Sequence, residues 1–157
     1  MKEISNWKKA FESDLDYISI ELREIISTPA CIILNGPVGA GKTTFVQHFT
    51  RCMQEENTSE VNSPTYSIIN EQGAIAHADF YRLKDSEEIT HLELPLYAEK
   101  KKFFFIEWGV NFTKDVFREL GDEFNYYELR IEPQASQDGG IASRNLTLLD
   151  LDHFLRE

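Results

Sequence analysis

The chain has 157 residues, a length typical of one domain, and its 41% hydrophobic and 27% charged residues exclude a wholly disordered protein. Its 27 acidic and 16 basic residues give a net charge of −11, which disfavours a broad nucleic-acid-binding surface because such a surface repels phosphates. No apolar run approaches the roughly 20 residues that cross a bilayer, and the first residues lack the apolar stretch of a signal peptide. We therefore expect a cytoplasmic protein without a membrane span.

The first predicted element is an amphipathic helix that begins near Ser5 or Asn6 and ends at Thr28-Pro29. Its apolar residues recur at steps of three and four, as on one helix face: Trp7, Phe11, Leu15, Ile18, Leu22 and Ile25. Pro29 ends the helix because proline disfavours helical backbone at the residue before it. Trp7 is interpreted as part of the buried stripe rather than as an adenine-stacking residue.

The next segments predict a strand, a turn and a second helix. The apolar run 30–34 shows no alternation, which is typical of a strand covered on both faces. A glycine-rich turn spans 36–41, and the second helix is predicted from about Lys42 to Glu55. A polar loop follows at 57–62.

The second half of the chain alternates between predicted strands and helices. In chain order, the elements are strands Tyr66–Asn70 and Ala74–Phe80 around a turn at Glu71-Gln72-Gly73, a helix Ser86–His91 capped by Ser86, a strand Phe103–Glu107, a helix Phe112–Leu120, and strands Phe124–Ile131 and Asn145–Leu149. A polar loop, 133–143, separates the last two strands. The pattern predicts an α/β fold, and nothing in it indicates a second domain.

Residues 36–43, Gly-Pro-Val-Gly-Ala-Gly-Lys-Thr, match the phosphate-loop pattern G-x-x-x-x-G-K-[ST]. Glycines let backbone N–H groups face a phosphate, and the following helix points its positive end at the same place. Lys42 can reach the β- and γ-phosphates, and the Thr43 hydroxyl can ligate Mg²⁺. The predicted nucleotide-binding residues are Gly36, Pro37, Val38, Gly39, Ala40, Gly41, Lys42, Thr43 and Thr44, with Arg144 of the late loop region as a further candidate.

Two acidic residues close predicted strands and are candidates for the phosphate site. Asp79 and Glu107 follow apolar runs, and ligands of open α/β sheets bind beyond the carboxyl ends of the strands. A site role is favoured over a solvated strand-end acid for both. Residues 63–65, Ser-Pro-Thr, are either a γ-phosphate-sensing segment, as in a switch, or a simple turn. His77 shares a strand face with Asp79, but a structural role is favoured for it.

Four motifs occur in a fixed order: Gly36–Phe45, Ser63–Tyr66, His77–Leu83 and Ile106–Trp108. This combination resembles the bacterial TsaE family (formerly YjeE), the ATPase of tRNA threonylcarbamoyladenosine synthesis. By motif, the resemblance covers residues 30–110. It implies a P-loop NTPase-like three-layer α/β sandwich over residues 1–157, a single ATPase domain with a mostly parallel central sheet and antiparallel edge strands.

The resemblance also implies an activity and partners. It implies weak ATP hydrolysis to ADP and phosphate, with ATP and Mg²⁺ as cofactors, and action on the TsaD and TsaB proteins, which modify ANN-decoding tRNAs. The ATPase is expected to activate or reset that pair without tight tRNA binding of its own, in agreement with its acidic charge. The implied roles are catalysis for Lys42, Asp79 and Glu107, metal binding for Thr43, Glu107 and Asp79, and a switch-like segment at Ser63, Pro64 and Thr65.

Two alternatives stay open, namely a small-molecule kinase on a related fold and a non-catalytic nucleotide-dependent switch. The kinase alternative is disfavoured because its lid usually needs clustered arginines, and the arginines of this chain are scattered. Tyr81, Arg82 and Trp108 match family positions without a fixed role. The chain departs from the family pattern at 37–38, which are variable loop positions where nucleotide binding is expected to survive. It also departs at 109–111, which leaves the geometry around Trp108 open.

Overall fold

One mixed sheet forms the centre of the computed structural model, which describes residues 1–53 and 68–157. The elements of these residues are β1 Lys2–Ala10, α1 Leu15–Ile25, β2 Ala30–Asn35, α2 Lys42–Met53, β3 Ile69–Gln72, β4 Ile75–Asp79, α3 Ser86–His91, α4 Leu94–Ala98, β5 Phe103–Glu107, α5 Thr113–Leu120, β6 Asn125–Ala135, β7 Ile141–Asp150 and α6 Asp152–Arg156. Single 3-10 turns lie at Glu12–Asp14, Val110–Phe112 and Gly121–Glu123.

The strand order of the seven-stranded sheet is β1-β7-β6-β2-β5-β4-β3. The four central strands β6, β2, β5 and β4 are parallel, whereas β7 pairs antiparallel with β6 and β1, and β3 pairs antiparallel with β4. The predicted α/β class, with a parallel centre and antiparallel strands at the edges, is therefore confirmed. Because parallel strands end at the same edge, the loops after β2, β4 and β5 meet there.

Helices cover both faces of the sheet. On one face, α1 and α2 pack on alternate residues of the central strands, including Ile32, Leu34 and Phe105. The ring of Phe49 in α2 lies edge-on to those of Phe103 and Phe105, with centroids 4.9 Å apart in each case. On the other face, the remaining helices pack on residues such as Ile33 and Ile106. Burial of these apolar surfaces orients α2 over the carboxyl edge of β5.

The predicted first helix is wrong over its first half. Residues 2–10 form strand β1, and α1 begins only at Leu15, so Ser5 and Asn6 cap no helix. Trp7 lies on β1, packs against the core and donates through Nε1 to the Glu21 carboxylate at 2.6 Å. The spacing of Trp7 fits both periods, because Ser5 and Trp7 are half-buried at a strand's step of two. Pairing with β7 decides between the two periods, and no local pattern records that pairing.

Smaller corrections concern caps and boundaries. The cap of α3 is Asp85, whose carboxylate accepts from the Glu88 N–H at 3.0 Å, and not Ser86. The loop predicted at 133–143 is largely strand, with the turn confined to residues 136–140. Helices α4 and α6 have no counterpart in the prediction. The parts of the predicted second helix and hairpin at 54–55 and 66–67 lie outside the described residues, as does the loop 57–62.

Strand β5 and helices α3 and α5 agree with the prediction, as does the helix end at Gly121. Among the helices of residues 1–53 and 68–157, none has the length and apolar character needed to cross a bilayer.

Candidate functional site

The glycine-rich turn connects β2 to α2 at the carboxyl edge of the sheet. Gly39 and Gly41 have φ angles of 80° and 93°, in the region that disfavours a side chain. A Cβ on Gly36 would lie 2.7 Å from the carbonyl oxygen of Ile131, so the first residue of the turn packs closely against β6. Helix α2 begins directly after Gly41, whose carbonyl accepts from the Phe45 N–H at 2.9 Å. The N–H groups of the first turn of α2 therefore face the cleft above it.

Lys42 bends back over the turn from which it emerges. Its Nζ donates to the carbonyl oxygens of Gly36 at 2.5 Å and Pro37 at 3.3 Å, and lies 3.8 Å from the centroid of the Trp108 ring. Burial lowers the pKa of this ammonium, and the nearby carboxylates of Glu107 and Asp79 oppose the shift. The carbonyl contacts and the aromatic face thus hold one cation in the middle of the cleft.

Glu107 is the buried carboxylate of the site. The Thr43 hydroxyl donates to it, with Oγ1 3.0 and 2.9 Å from its two oxygens. On its other side, Nε2 of His77 lies 2.5 Å from Oε2. Alternation along β4 and β5 turns His77 and Glu107 to the same face of the sheet, on which α2 packs.

Burial alone would raise the pKa of Glu107, because it penalises the charged form. Hydrogen bonding to His77 and Thr43 and the charges of His77 and Lys42 outweigh this, so the pKa lies below its ordinary value of 4.5. The chain thus stabilises an ionised carboxylate at 4% exposure, where an isolated charge is costly.

Asp79 lies beside Glu107, because these two residues are in register on β4 and β5. Its Oδ1 accepts from the N–H of Tyr81 at 2.9 Å, which directs the chain across the mouth of the cleft. The Tyr81 ring then meets the Trp108 ring edge-on at 5.1 Å. Trp108 has a φ of 61°, uncommon for a residue with a side chain, and this conformation accompanies its position over Lys42.

The cleft over the glycine-rich turn has a volume of about 710 Å³, and its walls come from both sides of β2. We call Thr43, His77, Asp79 and Glu107 the acidic end, which β4, β5 and α2 form. We call Glu12, Ile141 and Arg144 the arginine end. It lies on the other side of β2, because β7 pairs Arg144 with Ala10 at the end of β1.

Arg144 is buried, with 6% of its surface exposed, and its Nη1 would lie 3.6 Å from a Cβ on Gly41. Its Nε has no hydrogen-bond partner within the described part of the chain. A buried guanidinium nitrogen without an acceptor is costly to the fold.

The structure brings most of the predicted site residues together around this cleft. Those that line it are Val38, Gly39, Ala40, Gly41, Lys42, Thr43, Thr44, Asp79, Glu107 and Arg144. Gly36 and Pro37 do not line it, and instead hold Lys42 through their carbonyl oxygens. The predicted switch-like residues Ser63, Pro64 and Thr65 lie outside the described residues.

Two residues of the cleft region were undervalued or missed by the sequence interpretation. His77, for which a structural role was favoured, contacts Glu107 directly. The signals for it were its place two residues before Asp79 on the same strand face and its position at the start of the motif His77–Leu83. Glu12 lines the cleft from the turn before α1, and the incorrect helix prediction placed it on a helix surface.

A family comparison matches residues 10–142 to TsaE, described as threonylcarbamoyl adenosine biosynthesis protein TsaE. Three relatives carry the name tRNA threonylcarbamoyladenosine biosynthesis protein TsaE. The Aquifex aeolicus protein is 36% identical over 47% of this chain and 59% of its own length. The Nostoc protein is 39% identical over 56% of this chain and 54% of its own length. The Rickettsia bellii protein is 34% identical over 69% of each chain. The matches thus span little more than half of the first two relatives.

The crystal structure of Bacillus subtilis YdiB is similar in fold, with a TM-score of 0.60 over 99% of this chain and 90% of that one. The sequence identity of the two chains is 19%, so this similarity concerns the fold alone.

Proposed function

The chain belongs to the TsaE family, and from this membership we propose that it is an ATPase required for threonylcarbamoyladenosine modification of ANN-decoding tRNAs. In this proposal it binds ATP with Mg²⁺ in the cleft over the glycine-rich turn and hydrolyses it slowly to ADP and phosphate. Hydrolysis activates or resets a TsaD–TsaB complex, which carries the carbamoyl chemistry. The proposed architecture is a single P-loop NTPase-like domain acting in the cytoplasm.

One observation carries the proposal, namely that a lysine ammonium, a threonine hydroxyl and an ionised carboxylate converge at the start of α2. Lys42 and Thr43 reach this point from the start of α2, and Glu107 reaches it from β5. A triphosphate fits such a place, because it needs a cation, N–H donors and an anionic partner for its metal. Arg144 lines the cleft with its guanidinium beside Gly41 and supplies a further donor for a phosphate oxygen.

The residues present fit a magnesium ion whose ligands come partly from the protein and partly from the nucleotide. Within residues 1–53 and 68–157, no group of three or more His, Cys, Asp and Glu residues is arranged to hold a metal ion. Magnesium needs no such group, since it is often bound by one or two carboxylates together with phosphates and water. Thr43 and Glu107 would hold it, with Asp79 beside them. When bound, the ion neutralises charge on the phosphate oxygens.

The other residues around Glu107 and Lys42 have positioning roles, namely His77, Asp79, Trp108 and Tyr81. His77 holds the Glu107 carboxylate ionised and oriented through its 2.5 Å contact. The Trp108 ring covers Lys42, and the Tyr81 ring contacts Trp108 edge-on and so supports its position. Asp79 adds a second carboxylate next to Glu107, where it can orient an attacking water or a metal-bound one.

The direct test is ATP hydrolysis by the purified chain with and without Mg²⁺, alone and after addition of a TsaD–TsaB pair. We expect slow Mg²⁺-dependent hydrolysis alone and faster hydrolysis with the pair. If the hydrolysis rate does not change when the pair is added, the proposed nucleotide site stands but the proposed partner does not. A gel shift of bare tRNA at micromolar protein and physiological salt would contradict the proposal that the chain acts through other proteins.

A second experiment separates an ATPase from a nucleotide-binding switch. Glu107→Ala removes the ionised carboxylate, and the exposed Glu99→Ala is its matched control. We expect hydrolysis to fall by about 100-fold or more while nucleotide still binds, because the carboxylate serves the reaction more than the ground state. Equal losses of binding and hydrolysis would mean that Glu107 serves nucleotide binding and not the reaction, and absence of hydrolysis by the wild type would support the switch.

A further inference from the structure

Glu12 presents a carboxylate to the cleft that the proposed chemistry at the phosphates does not use. It lies in the 3-10 turn between β1 and α1, and its side chain is 64% exposed. The acidic end lies across β2 from it, so Glu12 is not one of the carboxylates beside Thr43. A carboxylate at the mouth of an anion-binding cleft repels phosphate, and it therefore calls for a ligand group that donates hydrogen bonds.

The side chain of Glu12 contacts a neighbour on α2. Nε2 of His48 lies 3.4 Å from its Oε1, and Nδ1 of the same ring lies 2.7 Å from Asp16 on α1. The His48 ring thus lies between the carboxylates of Glu12 and Asp16. Glu12 has this neighbour on α2, although most of its surface is open.

The order of groups along the cleft indicates what faces Glu12. The acidic end and Lys42 mark the β- and γ-phosphates, and the next lining residue of α2 is Thr44. Arg144 lines the cleft with Nη1 of its guanidinium beside Gly41, which suits an oxygen of the phosphate nearest the nucleoside. The sugar is bonded directly to that phosphate, so it comes next to Arg144 and Glu12. A ribose offers two adjacent hydroxyl donors, and carboxylates bind such hydroxyls in other nucleotide sites.

We propose that Glu12 is a specificity-determining residue that accepts hydrogen bonds from the ribose hydroxyls of the nucleotide and so selects ribonucleotides over deoxyribonucleotides. The inference rests on the proposed function, because it assumes that the phosphates lie over the glycine-rich turn. It goes beyond that function by assigning the nucleoside side of the cleft.

The test is calorimetric binding of four probes to the full chain with Mg²⁺: ADP, 2′-deoxyADP, 3′-deoxyADP and pyrophosphate. Glu12→Ala and Glu12→Gln are compared with Glu24→Gln, a charge change at an exposed site on α1. We expect the wild type and Glu24→Gln to bind ADP about tenfold more tightly than at least one of the deoxy analogues. In Glu12→Ala the Kd values for ADP and its deoxy analogues should become equal. The Kd for pyrophosphate should stay within about twofold of the wild-type value, or decrease because the repulsion between Glu12 and the anion is removed.

The outcomes separate this inference from the function on which it rests. If pyrophosphate and ADP bind, but the wild type does not discriminate between sugars, or Glu12→Ala still does, the inference is overturned and the nucleotide site stands. A variant that alters selection between ADP and GDP but not between sugars would place Glu12 at the base, which also overturns it. If neither ADP nor pyrophosphate binds, the proposed function and this inference fail together.

Discussion

The two ends of the cleft differ in how completely the protein satisfies its own polar groups. At the acidic end, Glu107 receives hydrogen bonds from Thr43 and His77 and is held ionised. At the arginine end, the buried Nε of Arg144 has no partner in the described residues, and Glu12 is largely exposed. An unmet buried donor costs about 1–3 kcal/mol. The comparison indicates that the chain preorganises the acidic end by itself, whereas the arginine end keeps a buried donor that no described residue satisfies.

The largest effect is expected at Lys42, the cation in the middle of the cleft between the two ends. Lys42→Ala removes the ammonium that would face the phosphates in the proposed function, and we expect steady-state ATP hydrolysis to fall by about 100- to 1,000-fold. The exposed Lys84→Ala serves as the control. Hydrolysis at the wild-type rate in Lys42→Ala would show that the cleft over the turn is not the reaction site.

A second change tests whether the acidic end acts as a unit. Asp79→Asn keeps the shape of the side chain and its contact with the Tyr81 N–H but removes the charge beside Glu107. We expect an intact, cooperative melt and hydrolysis lower by about 10- to 100-fold, as for residues that support a metal site. Loss of the cooperative melt would instead make Asp79 a structural acid.

A third change tests whether the arginine end binds the nucleotide. Arg144→Met keeps most of the side-chain volume and removes the guanidinium that lines the cleft, so we expect Mg²⁺–ATP to bind about tenfold more weakly. The melting temperature should stay the same or rise, since no internal hydrogen bond of Nε is lost. Differential scanning fluorimetry with and without nucleotide measures both effects, with the exposed Arg51→Met as control. If the variant has a lower melting temperature but binds Mg²⁺–ATP with unchanged affinity, Arg144 stabilises the fold and does not bind the ligand.

The smallest effect concerns the dependence of stability on pH at the acidic end. The folded-state pKa of Glu107 lies below 4.5, so the unfolded chain binds the proton more readily. The stabilisation from this carboxylate is therefore complete above about pH 4.5 and is lost as the pH falls through the folded-state pKa. In urea titrations without metal, Glu107→Gln should lose less stability on acidification than the wild type or Glu99→Gln. Parallel curves would mean that His77 and Thr43 do not stabilise the charge.

The sequence allowed the centre of the site to be predicted because its signals are local. The turn, Lys42 and Thr43 are contiguous, and Asp79 and Glu107 each follow an apolar run, which marks a strand end. The same reasoning placed α2, β5 and the parallel centre of the sheet.

What the sequence did not reveal depends on contacts between distant segments. The spacing of Trp7 suits a helix or a strand, and only pairing with β7 decides between them. Glu12 could not be placed at the cleft while residues 5–28 were taken as one helix. The link from His77 to Glu107 requires the register of β4 against β5, which no pattern within either strand specifies.

The position of Arg144 on β7 has a consequence for the durability of the fold. Gly41 belongs to the turn after β2, whereas Arg144 belongs to the hairpin of β6 and β7, and the cleft lies between them. A nucleotide that bridges these segments acts as a non-covalent cross-link between parts of the chain that are far apart in sequence. Opening of the hairpin then requires release of the ligand, by mass action. We expect proteases to cut the 136–140 turn more slowly when nucleotide is present.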